Sequence, residues 1–275
     1  MANYTAADIK QLREQTGAGM LDVKKALDEA DGDLAKAVEI LRVKGQKGVA
    51  KRESRTTSNG LVAAHTEAGL GVLLELDCET DFVAKGDKFL ALAVDVLAQA
   101  VASKAATPEE LLASSLADGR TVQQLIDEGN AAIGEKIVVA KLARIEATHV
   151  ASYLHRTSPD LPPQVGVLVG TDGIHDVARD IALHIAALPP KYLSRDDVPA
   201  EVIEAEKRVF EAKAKEEGKP EQAIARIVEG QVNGFYKENV LLEQKYAKDQ
   251  STTVEKVLAE AGVSVHAFAR FRVGA

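Results

Sequence analysis

The residues with the most capacity for chemistry lie in one stretch, Leu74-Glu75-Leu76-Asp77-Cys78-Glu79-Thr80-Asp81-Phe82-Val83-Ala84-Lys85. Cys78 sits among Glu79 and Asp81, so a thiol nucleophile beside acids has to be weighed. Activating a cysteine takes a nearby cation or histidine, whereas acidic neighbours raise its pKa, and a hydrolase centred on Cys78 is therefore a poor reading. The 6 histidines are scattered, with no His-Glu-x-x-His spacing, and a single cysteine cannot form a paired-Cys zinc site. Gly17-Ala18-Gly19 precedes Met20, not the Lys-Ser/Thr of a phosphate-binding loop. We therefore expect no catalytic residue, no metal and no cofactor. What stands out instead is Phe82, a large ring lifted with the acid Asp81 into a turn that follows an apolar strand. Phenylalanine is usually buried, but Glu79, Thr80, Asp81, Lys85 and Gly86 surround it with turn chemistry and only Val83 and Ala84 favour burial. An aromatic framed by polar groups is a common interface anchor.

Composition narrows the choice. The chain has 275 residues, is 46% hydrophobic and 28% charged, and carries a net charge of −8. This is the balance of an ordinary soluble protein of two or three modules. The acidity argues against non-specific nucleic-acid binding, which needs cations to neutralise phosphates. A lone cysteine fits a reducing compartment, there is no apolar run near the ~20 residues that span a bilayer, and the N-terminus has no signal-peptide pattern. A cytoplasmic location is expected, with neither nucleic acid nor membrane as partner.

The elements that must position Phe82 can be read from spacing. Residues 1–45 read as three short helices: Thr5 caps the first, Met20 opens the second, and Asp33 caps the third. The stretch from Lys44 to Asn59, with Lys47, Lys51, Arg52 and Arg55, reads as a basic linker (46–59) and a solvated tether. Next come a hairpin, Leu61 to Thr66 and Val72 to Leu76, and a helix with Leu90, Val94, Leu97 and Val101 on its apolar side. Pro108 to Ile145 reads as helical with breaks.

A second hairpin-plus-helix unit follows. Tyr153-Leu154-His155 matches Ala63-Ala64-His65 at an offset of 90, which sets His155 opposite His65, and Gly166-Val167-Leu168-Val169 matches Gly71-Val72-Leu73-Leu74 at 95. The fold class predicted is α+β, with a first core unit over 60–148 and a second over 149–198 and 239–275. Between the parts of the second, 199–238 reads as an antiparallel coiled-coil hairpin, its seam running through Val198, Val202, Ala205, Val209 and Ala212, then Ile224, Val228, Gln231 and Phe235. Val254 to Ala261 reads as a helix and Val263 to Val273 as a returning strand.

Glu75 to Lys85 resembles the core signature of the bacterial elongation factor Ts family, and Leu12 to Leu27 (LREQTGAGMLDVKKAL) resembles that family's N-terminal signature. The likeness extends through Ser152-Tyr153-Leu154-His155 to Arg270-Phe271-Arg272-Val273-Gly274 and so spans the chain. It implies a guanine nucleotide exchange factor for the translational GTPase elongation factor Tu, whose helical start is a ubiquitin-associated-like module. The resemblance implies that Asp81 and Phe82, flanked by Thr80 and Val83, meet the GTPase's nucleotide domain together with Met20, Leu21, Lys24 and Ile133, the last within a stretch, Ile133-Gly134-Glu135, that matches further family contact positions. It also implies that His155 faces a second GTPase domain. The GDP-bound and nucleotide-free GTPase are the implied partners, as a heterodimer or a dimer of heterodimers. Some members of the family continue into a further C-terminal helix, and this sequence stops at Ala275, so greater reliance on the N-terminal module is expected. A non-enzymatic adaptor that uses the helical module and the hairpin is the alternative.

Overall fold

The computed structural model describes residues 3–275, with backbone alone at 46, 47 and 49–51. It opens with α1 (Ala6–Thr16), α2 (Met20–Glu29) and α3 (Leu34–Arg52). Thr5 and Asp8 form a reciprocal capping box, and Gly17 closes α1 at φ +67°. Leu12, Val23, Ala26, Leu27, Ala37 and Leu41 make the small core.

The tether expected after Lys44 is helical to Arg52, although the side chains of Lys47 and Lys51 lie outside the described residues. Two glycines at ~1 kcal/mol each weaken this stretch intrinsically; docking offsets them. Gly45 lies so close to α7 (Val122–Ile133) that an added Cβ would stand 3.0 Å from Ala131 Cβ. Arg52 Nη1 donates to the Asn130 carbonyl at 3.1 Å. Tertiary contact, invisible in local charge, converts the linker into helix.

The first core unit contains β1 (Asn59–Glu67), β2 (Leu70–Cys78), α4 (Asp81–Ala84), α5 (Asp87–Ser103), α6 (Pro108–Ala113), α7 and β3 (Ile137–Glu146). Its sheet is antiparallel in the order β1-β2-β3, which puts β2 in the centre. Leu74, Leu76 and Cys78 turn one face of β2 onto α5, which buries Phe89, Leu92, Ala93, Val96 and Ala100. The sequence-based face of this helix is therefore one residue out of phase, and Val94 is exposed. Asp87 to Ser103 is apolar enough on most sides that two registers fit the spacing. Ile137 to Ile145 is a strand, not the end of a helical stretch. Val138, Leu142 and Ile145 keep helical spacing while Ile137, Val139, Ala143 and Ile145 alternate, and the open edge of β2 selects the extended form.

The second unit contains β4 (His149–His155), β5 (Val165–Thr171) and α8 (Asp176–Ala187), followed by α9 (Ala200–Glu216) and α10 (Glu221–Asn239). Then come β6 (Lys245–Tyr246), β7 (Asp249–Thr253), α11 (Val254–Ala261) and β8 (Val265–Arg272). Its main sheet has the order β4-β5-β8, so β5 takes the place of β2. The registers, Val62↔Glu75 in one unit and Val150↔Gly170 in the other, match β1 to β4 at an offset of 88 once β2 and β5 are matched at 95. His65 therefore corresponds to Tyr153, not to His155. The motif match at 90 was two residues out, which in a strand keeps the face but moves the position along it.

The two sheets pack face to face about a pseudo-two-fold axis. A Cβ at Gly71 would meet Val150 Cγ1 at 2.5 Å and Leu168 Cδ1 at 3.2 Å; one at Gly166 would meet Val62 Cγ1 at 2.4 Å and Leu73 Cδ1 at 2.9 Å. Matched glycines thus admit matched branched side chains from across the interface. The pairing of Gly71 with Leu168 and of Leu73 with Gly166 also shows that β2 and β5 run antiparallel across it. Their C-terminal turns consequently lie at opposite ends.

Helices α9 and α10 pack on each other through Ile203, Phe210, Val228, Val232 and Phe235. The expected seam is corrected here as well: Val209 is 59% exposed and Gln231 faces solvent, their places being taken by Phe210 and Val232. Among the described residues no helix is long and apolar enough to cross a membrane.

Candidate functional site

The site forms where β2 ends. Ladder pairing stops at Cys78↔Ile137, and Thr80 then starts the single turn of α4, its Oγ1 accepting from Val83 N at 3.3 Å. Ala84 is fully buried and anchors this turn to the core. Two residues earlier on a helix lies ~200° round the axis, so Phe82 points away from the core and is 77% exposed. Lys85 Nζ lies 4.8 Å above the ring centroid and 3.6 Å from Asp81 Oδ2. The cation thus holds the face of the ring and the acid at once.

The backbone under the ring is tied down from three sides. Glu135 accepts from Glu79 N at 3.2 Å, Thr80 N at 3.0 Å and Thr80 Oγ1 at 2.6 Å. Glu79 in turn accepts from Lys136 N at 2.6 Å and from Arg55 Nη1 at 3.1 Å. Asn59 Nδ2 donates to the Glu79 carbonyl at 2.9 Å.

Two depressions flank the ring. One, of about 460 Å³, is lined by Phe82, Val83, Lys88, Phe89, Ala132 and Ile133. The other, of about 360 Å³, lies between β1, α5 and the loop after β4, with Lys85, Val94, Leu154 and Pro163 in its walls.

The structure gathers the turn residues and Ile133 around the first depression and sets the N-terminal module against its wall. Thr80, Asp81, Phe82 and Val83 form the turn, with Val83 half-buried, and Ile133 shares the first depression. The α1–α2 turn packs on its far wall, since a Cβ at Gly17 would stand 2.6 Å from Ala132 Cβ. Met20 and Leu21 follow that turn, 56% and 73% exposed, and Lys24 is exposed on the same helix. His155 is not part of this group. It ends β4 in solvent, 3.2 Å from the Tyr153 hydroxyl, and its neighbour Leu154 belongs to the second depression.

The sequence marks Glu135, beside Ile133 and Gly134, as a family contact position but does not show that it and Lys85 support the turn. Lys85 stood within the quoted segment but gave no sign that it caps the ring. Glu135 reaches its partners from more than fifty residues away, and no local pattern announces such a contact.

The titratable groups beneath the site are held away from reactivity. Burial, helped by Glu135 and Asp77, pushes the Cys78 thiol up to about 12, and its Sγ–H lies 3.2 Å from the Thr80 carbonyl. It is a thiol at neutral pH, which removes the nucleophile reading. Burial and the neighbouring Glu75 push Asp77 up to about 7, while Lys141 pulls the other way. Glu75 is raised by burial, against a hydrogen bond from Lys141.

An exposed ring on a braced turn, flanked by two depressions of mixed lining, is the geometry of a protein-binding module. The chain matches the family model described as Elongation factor TS over residues 79–275. It is 62% identical to an elongation factor Ts of Kineococcus radiotolerans over 276 residues, covering all of both chains. It is 59% identical to one of Streptomyces griseus and 58% identical to one of Paenarthrobacter aurescens, again over all of both chains. The chain belongs to the elongation factor Ts family.

Proposed function

We infer that this chain is a guanine nucleotide exchange factor for elongation factor Tu in translation elongation, and that Phe82 is its working residue. The observation that carries the residue assignment is the 77% exposure of Phe82 on a turn whose backbone is fully tied. GDP is retained by a phosphate-binding loop and Mg²⁺. A factor that binds the nucleotide-free GTPase more tightly than the nucleotide-bound one lowers nucleotide affinity by the same ratio. Phe82, inserted between elements of the nucleotide domain, displaces the groups that hold the metal and phosphates, while Asp81 orients the turn. Thr80 and Val83 frame the wedge, Ile133 lengthens it, and Met20, Leu21 and Lys24 hold the same domain from the N-terminal module. His155 meets a second domain of the GTPase.

In this reading residues 1–45 are a ubiquitin-associated-like module, 60–148 and the paired stretches 149–198 and 239–275 are the core units, and 199–238 is a projecting coiled-coil hairpin. The factor promotes release without making or breaking a covalent bond, and acts in the cytoplasm.

The test follows release of a fluorescent GDP analogue from purified elongation factor Tu. Phe82→Ala should leave folding intact and slow release at least ~30-fold at equal factor concentration, the loss of a ~2 kcal/mol anchor. Equal rates with Phe82→Ala and the unaltered chain would sink the assignment. Binding without any acceleration by the unaltered chain would favour an adaptor.

A further inference from the structure

We propose that Glu135 is a positioning residue for exchange: it fixes the backbone of Glu79 and Thr80 so that Phe82 meets the GTPase already in its working pose. This rests on the assignment of Phe82 made above.

The need for such a residue follows from the fold. The β2–β3 ladder ends at Cys78↔Ile137, so the N–H groups of Glu79 and Thr80 lie beyond its last pair. Four residues of helix, Asp81–Ala84, cannot sustain themselves, because a first turn costs more order than its hydrogen bonds return. Glu135 supplies what the ladder does not. One carboxylate oxygen takes both amides, at 3.2 and 3.0 Å, and the other takes the Thr80 hydroxyl at 2.6 Å. That same hydroxyl accepts from Val83 N, so the cap of α4 hangs directly on Glu135. Hydrogen bonds to an ionised acceptor are the strong ones, and three on one carboxylate fix its direction.

Gly134 aims the side chain. It closes α7 at φ +90°, a conformation that suits glycine, and turns the next residue back towards β2. The tie is reciprocal: as Glu135 holds the backbone of residues 79 and 80, Glu79 holds the backbone N–H of Lys136 at 2.6 Å and the guanidinium of Arg55. Two carboxylates crossed in this way lock the α7–β3 loop, the Phe82 turn and the connector after α3 into one piece. Both oxygens of Glu135 are engaged inside the molecule. Its role is thus distinct from that of Ile133, which opens onto the depression beside the ring.

The experiment uses the full chain with Glu135→Ala, Glu135→Gln, Phe82→Ala and the double variant Phe82→Ala/Glu135→Ala. Amide hydrogen exchange of the free factor reports on the clamp, and GDP release from elongation factor Tu across factor concentrations reports on its use. With Glu135→Ala, exchange at the Glu79 and Thr80 amides should quicken at least about tenfold, since each loses its acceptor. Release efficiency should fall about tenfold as binding must now order the turn, with core amides as protected as before. Adding Glu135→Ala to Phe82→Ala should cost nothing further, because the clamp acts through the ring. Unchanged protection at residues 79 and 80, or a loss that adds in full to that of Phe82→Ala, would overturn the proposal. The second result would make Glu135 a direct contact. If the alanine variant does not fold, Glu135→Gln, which keeps the size and one acceptor oxygen, decides the matter by the same readouts. A Phe82→Ala variant that exchanges normally would strike the ring assignment instead, and the amide data would still judge the clamp.

Discussion

At the scale of single residues, the ring and the acids beneath it face opposite conditions. Phe82 is free of the core, so its removal should cost little stability, and the exchange assay tests what it costs in function. Asp77 is the reverse: it is 6% exposed, its Oδ1 has no hydrogen-bond partner, and Glu75 is its neighbour on the same face of β2. Lys141 is the cation at hand, shared between Glu75 and the carbonyl of Ala275. With Asp77 pushed up to about 7 in the folded chain, the folded state binds a proton that the unfolded state, near 3.9, has already released. Stability from this group is complete below pH ~4 and is lost as pH rises towards ~7, amounting to a few kcal/mol at most. Urea unfolding between pH 5 and 8 should show this fall, and Asp77→Asn should flatten it and leave the chain more stable at pH 8. A parallel fall in the Asp77→Asn variant would place the titration elsewhere.

Exposure of Phe82 was legible because its neighbours are polar and short of apolar support. The burial of Asp77 was not, because an acid one residue from the end of an alternating strand reads as solvent-facing until a second sheet covers that face.

At the scale of elements, the sequence named nearly every helix and hairpin but mistook some faces. In α5 and in α9 the apolar residues outnumber those a single stripe needs, so spacing alone admits neighbouring registers. Phe210, not Val209, is the side chain that α9 presents to α10. Val209→Ser should therefore leave the pair intact, within ~0.5 kcal/mol. Phe210→Ala should loosen it and speed both proteolysis near Gly218 and amide exchange in α10, with the sheets unaffected. Equal sensitivity of the two variants would restore the expected seam. β3 and the short β6–β7 pair escaped detection for another reason. Ile137 to Ile145 fits two periods, and the second hairpin is too short and too polar to show one. Such elements are set by the edges they join, which a local reading does not see.

At the scale of the whole molecule, the correction that matters most is the loss of the tether. With α3 running to Arg52 and docked on α7, the N-terminal helices share one surface with Ile133 and the ring. Deleting residues 1–55 removes Met20, Leu21 and Lys24, and also Arg55, one of the donors to Glu79. We expect affinity for nucleotide-free elongation factor Tu to fall more than about 100-fold, over ~2.8 kcal/mol at ~1.4 kcal/mol per decade. Titration calorimetry that found unchanged affinity would refute this. The charge balance of residues 1–55 gave no hint of docking, since eleven basic and nine acidic side chains describe a solvated stretch equally well.

The crossing of the two central strands has one more consequence. Because β2 and β5 run in opposite directions through the glycine-lined interface, the turn that bears Phe82 and the turn that bears Ile174, 82% exposed, project from opposite poles. A duplicated unit usually doubles whatever it carries, yet here one pole bears an aromatic wedge and the other an aliphatic side chain in a Gly-Ile-His turn. Of the two turns that end β2 and β5, only the first accordingly presents a phenylalanine ring to solvent. The turn of the second unit is thus free to differ from that of the first, provided the shared seam of Gly71, Gly166, Leu73 and Leu168 stays closed.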